Sequence, residues 1–245
     1  ATGNSGGSDI DDLEISAFEK AIYLDGALDT VHLNNIRIWN FGLTTNQTVI
    51  FREAATVGIY AGRVDGLDIS NFMNIAGTGI KTVVGGDGSS LFGTWVNMQF
   101  DSFNGVDFSS GTVTCTSCYF TLATAAAIGL NQSGGSFTMA GGWSQTNIAS
   151  ATPVFNITGG HFVWSAGYIN GVALDRTLFK SDGGSVVLSN IFFDRIANTA
   201  YTRPTLWVAS GRATLIGNRT NDKGTGAGTF IQIDTNDHHV VLGNR

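Results

Sequence analysis

A short strand-like phrase recurs along almost the whole of this 245-residue chain. It reads "LEISAF" at Leu13, "IRIWNF" at Ile36, "LDISNF" at Leu67, "MQFDSF" at Met98 and "VTCTSCY" at Val113. It continues as "FTMAGGW" at Phe137, "FVWSAGY" at Phe162, "VVLSNIF" at Val186 and "ATLIGNR" at Ala213, with a partial copy, "VVLGNR", at Val240. Second strands closed by glycine lie between the copies, among them "GIKTVVGG" from Gly79, "PVFNITGG" from Pro153 and "TLFKSDGG" from Thr177. From Val113 onward the copies are 24 to 27 residues apart; before it the spacing varies, with one interval of only 15. Alternating apolar and polar residues indicate strands with one buried face. A strand pair recurring at a nearly fixed period indicates a solenoid in which each turn stacks on the last. The expected fold is all-β, a right-handed parallel β-helix of about nine to ten turns. Residues 1–12 form a linker or edge, and residues 13–245 form the helix as a fragment of a longer chain. A propeller needs four strands in about 40 residues, and a sandwich does not repeat.

Composition agrees with a strand-and-turn chain. It has 33 Gly, and only 13% of residues are charged, against about 25% in an average globular protein. The net charge of −6 and the lack of any Lys/Arg run argue against nucleic acid as a partner. No run of 18 apolar residues is present, so no membrane insertion is expected. Neither a basic n-region nor an apolar h-region precedes the first strand. Cys115 and Cys118 make one C-x-x-C with no second ligand pair and fall in an apolar strand, so they read as reduced packing thiols. No metal or cofactor motif appears.

The pattern of turns ("LDISNF…GIKTVVGG", "VVLSNIFFDRI…TLWVASG", "ATLIGNRTND") resembles the β-helical body of bacteriophage tailspikes, within the pectin-lyase-like group of folds. That resemblance covers residues 13–245. It implies a homotrimer on the virion, joined to other tail proteins through segments outside this chain and extracellular when functioning. The implied ligand is a bacterial surface polysaccharide, O-antigen or capsule, which such proteins bind and usually cleave by hydrolysis or β-elimination. The expectation is therefore an endo-glycosidase acting through paired carboxylates. The alternatives are a non-catalytic receptor-binding or structural β-helix, and a polysaccharide lyase.

Hydrolysis needs two carboxyls about 5–5.5 Å apart for retention or about 6.5–9.5 Å for inversion, and strands on successive turns are about 4.8 Å apart. Carboxylates one or two turns apart thus reach both ranges. Charge is almost absent between residues 102 and 174. It then returns as Asp175, Arg176, Lys180, Asp182, Asp194, Arg195 and Arg203, most of them in long connections where a rigid solenoid would build a site. Asp175 and Asp194 are the first candidates for acid and base. Arg176, Arg195 and Arg203 would hold the sugar, with Trp143, Tyr168 and Tyr201 as stacking surfaces. The competing reading of the two Asp-Arg pairs is reciprocal salt bridges between neighbouring loops. Asp68 and Asp101 are the second-choice acids, although Glu14, Arg37, Asp68 and Gln99 also read as one cross-strand ladder of charge. Tyr119, Trp143, Tyr168 and Phe192 share one position in successive copies. Whether they face in or out depends on a bend whose geometry the letters do not specify.

Overall fold

The computed structural model describes residues 7–16, 20–24, 28–39, 42–43, 50–51, 57–61, 64–75, 78–82, 91–102, 104–122, 125–146, 148–171, 175–195, 202–222 and 229–245. Among these there is no helix, and all strands but one small hairpin join a single parallel sheet system. Two ladders make a β-helix of about seven turns. The first climbs through Leu28–Trp39, Val64–Ile75, Phe92–Ser102 and Thr112–Leu122, then through the strand pairs that follow as far as Val240–Leu242. The second runs from Lys20–Leu24 through Val57–Ala61, Thr78–Thr82, Asn104–Phe108 and Ile128–Gln132 to Ile231–Ile233. Ser8–Asp11, within the expected linker, pairs with the strand Leu28–Trp39 and carries the solenoid edge back to Ser8.

The first ladder is folded at one position in every rung. Asp12, Asn35, Asn71, Asn97, Ser117, Ala166 and Asn190 all have φ between 52° and 58°, and Gly141 and Gly217 stand at 67° and 63° in the same column. Gly and Asn adopt this left-handed conformation most readily, and the Asn side chains recover energy by bonding between rungs. Asn35 Nδ2 donates to Asp12 Oδ1 at 2.6 Å, and Asn97 Nδ2 to Asn71 Oδ1 at 2.9 Å. The bend has a consequence for register. Side chains alternate on each arm, but across the left-handed residue two inward positions lie three apart, as in Leu33 and Ile36, or Leu188 and Ile191, all buried.

This geometry corrects the expected charge ladder. Glu14 does pair with Arg37, but Arg37 pairs with Met73 and Met73 with Gln99. Asp68 pairs with His32 on the arm before the bend. "LEISAF" is therefore an arm after the bend, and "LDISNF" begins on the arm before it.

The interior is an axial stack of apolar side chains. Phe100 and Phe120 stack with centroids 5.1 Å apart, Phe120 meets Phe155 edge-on, and Phe155 lies 4.8 Å from Trp164. All are fully buried, each contributing about 1.5–3 kcal/mol by leaving water. Trp164 faces inward between Met139 and Leu188, as the alternation requires. Its indole occupies the space beside Gly167, where a Cβ would collide with the ring, and its Nε1 donates to Gly141 O at 2.7 Å. Cys115 and Cys118 are both inward, brought together by the bend at Ser117. They are joined as a disulfide, not left as the two free thiols that their apolar setting suggested.

Candidate functional site

The arm after the bend carries two outward columns parallel to the solenoid axis. Tyr119, Trp143, Tyr168 and Phe192 are direct cross-strand partners on consecutive rungs. Their orientation, open in the sequence, is outward: Tyr119 is 37% exposed and the other three are half-buried. Rings one rung apart stand about 4.8 Å from one another, close enough to touch. Tyr168 and Phe192 stack with centroids 5.6 Å apart and planes 26° from parallel. Two residues further along each strand lies the second column, Asp101, Thr121, Gln145, Asn170, Asp194 and Asn221. The face is thus a strip of flat rings edged by amides and a carboxylate. Sequence reasoning found the aromatic column by its repeated position but missed the amide column. Its signal was a hydrogen-bonding side chain two residues after every ring.

Asp194 is the most constrained group of the strip. It is 7% exposed; Tyr168 Oη donates to its Oδ2 at 2.6 Å, and Asn221 Nδ2 to its Oδ1 at 3.2 Å. Burial, followed by the hydrogen bond to Asp194 and its charge, pushes the Tyr168 hydroxyl up to about 12. The phenol therefore stays protonated and holds its ring in place. Replacing Asp194 by Asn is expected to lower the Tyr168 titration midpoint toward the ordinary tyrosine value of about 10, read from tyrosinate absorbance; an unchanged midpoint would mean that burial alone sets it. One rung below, Asn170 Oδ1 is buried and accepts no hydrogen bond. Buried acceptors are nearly always paired, so this oxygen is an exception within the amide column.

The other expected site residues lie elsewhere. Asp175 accepts from the Thr202 and Arg203 backbone N–H groups at 2.8 and 2.9 Å, from Thr202 Oγ1 at 3.0 Å and from Arg203 Nη1 at 2.7 Å. Burial alone would raise its pKa, but these donors and the Arg203 charge outweigh it and hold the carboxyl below its usual range. An ionised carboxylate with both oxygens occupied is poorly suited to be a general acid. Asp175 is thus salt-bridged to Arg203, which is not the reciprocal bridging between two Asp-Arg pairs that the sequence suggested.

Arg176 is fully buried, a correction to its expected role against sugar. Its Nε donates to Thr152 O at 2.8 Å, Nη1 to Thr146 Oγ1 at 3.1 Å, and Nη2 to Ala127 O and, at 3.5 Å, to Pro153 O. Burial lowers its pKa to about 10, which leaves it charged near neutrality. It ties three successive turns together.

Asp101 shares a column with Asp194 but is four rungs away, about 19 Å and beyond any acid–base pairing. Asp68 is on the other arm of the bend from Asp101, so the second-choice acids do not converge either. The Arg195 side chain and all of Tyr201 lie outside the described residues. Among the described residues no group of three or more His, Cys, Asp or Glu side chains could hold a metal ion. No protein-family model matches the chain, and no curated protein and no solved structure matches it.

Proposed function

We propose that the aromatic–amide strip binds a linear polysaccharide lying along the solenoid axis. In this reading the chain is the receptor-binding β-helix of a bacteriophage tailspike, of nine to ten turns and homotrimeric, which recognises O-antigen or capsule on the host surface. The observation that carries the reading is the row of four outward rings, Tyr119, Trp143, Tyr168 and Phe192, on consecutive rungs. Aromatic faces suit the C–H faces of sugars, and fixed amides suit their hydroxyls. The strip holds Asp101 and Asp194 in a chain of net charge −6, which favours an uncharged polysaccharide over an acidic one.

Binding without cleavage is the leading reading. Of the acids expected to work as a pair, Asp175 is neutralised by Arg203, and Asp194 has amides on both neighbouring rungs. The connections 172–174 and 196–201 contain no Asp or Glu. Hydrolysis is the second reading because Asp194 sits directly beside Tyr168; its partner acid would then come from a neighbouring subunit. Incubation with a panel of purified capsule and O-antigen polysaccharides separates the two. Retention on one neutral polysaccharide, little changed by added salt and without release of reducing ends, is the expected result. Release that Asp194→Asn abolishes would replace binding by hydrolysis, an unsaturated product would indicate a lyase, and retention on none would contradict all three.

A further inference from the structure

The arm before the bend has an irregularity of its own, on a different face from the strip. Pairing between Val64–Ile75 and Phe92–Ser102 is in register at Phe92 with Gly66 and again at Trp95 with Ile69, but is interrupted at Gly93 and Thr94. Two side chains take over the missing ladder bonds. Trp95 Nε1 donates to Leu67 O at 3.0 Å, and the Thr94 N–H donates to Asp68 Oδ1 at 2.7 Å. Asp68, held by the Thr94 N–H through one oxygen, has its other oxygen, Oδ2, 3.5 Å from His32 Nδ1.

Beside Asp68 the surface is notched. In the outward column Thr30–Gly66–Phe92, Gly66 leaves the floor bare, and a Cβ there would stand 2.8 Å from Thr30 Oγ1. Phe92 forms one wall and is 60% exposed. Depressions of about 380 and 210 Å³ adjoin here, and both are bordered by Asp68 and Thr94; the larger falls within the size range of small-ligand sites, about 300–1,000 Å³. A single exposed ring means little on its own. An exposed ring over a bare floor, next to a carboxylate with remaining acceptor capacity and threonine hydroxyls, is a specific combination.

We propose that this notch is a second carbohydrate site, taking one uncharged hexopyranose unit with its C–H face on Phe92 and its hydroxyls on Asp68. The site does not depend on the strip around Trp143. It would give the solenoid two separate holds on one glycan surface, so that weak contacts combine.

Titration of the ¹⁵N-labelled full chain with the methyl glycosides of glucose, galactose and N-acetylglucosamine tests it through the Thr94 amide, which reports directly on Asp68. The expected result is a saturable Thr94 shift with at least one glycoside. Phe92→Ala and Asp68→Asn should each weaken it by about tenfold or more, and Trp143→Ala should leave it unchanged. No saturable shift with any of the three, a shift that survives Phe92→Ala, or one reproduced by tetramethylammonium instead would overturn the proposal. Failure of the strip reading has a different signature: polysaccharide retention unaffected by Trp143→Ala, whatever Thr94 does.

Discussion

Replacing Arg176 by Met is expected to destabilise the solenoid by about 3–5 kcal/mol, because several buried acceptors lose their donor at once. Methionine restores much of the volume, so the effect isolates the hydrogen bonds. Ala127 O, Thr152 O and Thr146 Oγ1 would lose the guanidinium donor. Each buried group left unpaired costs about 1–3 kcal/mol. Those groups sit on the two turns that precede Arg176's own, so the loss loosens the stack itself rather than one loop. Lysine should recover only part, because it supplies the charge without the planar fork that reaches several acceptors at once. Denaturant midpoints for the wild type and the two variants measure this. A loss below about 1 kcal/mol for Arg176→Met, the level of an ordinary surface change, would mean that water replaces the guanidinium.

The second large effect is on binding. Trp143→Ala should weaken the polysaccharide complex by about 2 kcal/mol, or roughly 30-fold, as for an aromatic anchor at the centre of an interface. Trp143 lies between Tyr119 and Tyr168 in the row, so its removal splits the platform in two. The side chain is half-buried, so stability should change far less than affinity, and Trp143→Phe should retain most of the binding. Asn170→Ala is the complementary variant. It deletes an acceptor that has no partner in the free protein, so stability should be unchanged while affinity falls. Equal losses of stability and affinity in both variants would reduce the strip to a structural feature.

Most of the fold was legible because a solenoid writes its period into the sequence: the recurring inward positions Val113, Phe137, Phe162, Val186 and Ala213 are all apolar, at intervals of 24 to 27 residues. The register of the early turns was not. "DLEISAF" and "GLDISNF" share letters, yet the left-handed residue is Asp12 ahead of the first Leu-acid-Ile and Asn71 after the second. A bend that adds one residue to the alternation cannot be located by apolar spacing alone, and this also hid the direction of Tyr119, Trp143, Tyr168 and Phe192. The charged loops misled for a related reason. In a chain this poor in charge, Asp175, Arg176 and Arg203 stood out as functional. A solenoid with few ion pairs also needs such groups to pin its longer connections, and there all three make their bonds. Asn170 and Gln145 carried no such contrast, being ordinary outward residues until the register placed them beside the rings.

The central claim is that the ligand lies along the axis, across Tyr119, Trp143, Tyr168 and Phe192, a span of three rung steps or about 14 Å. Calorimetric titration with oligosaccharides of increasing length, cut from the polysaccharide that the chain retains, tests it most directly. Affinity should rise with each added sugar until the oligosaccharide covers that span, then level off, with the rise interrupted in Trp143→Ala. Affinity already complete with a single sugar, or a length dependence indifferent to Trp143, would contradict it.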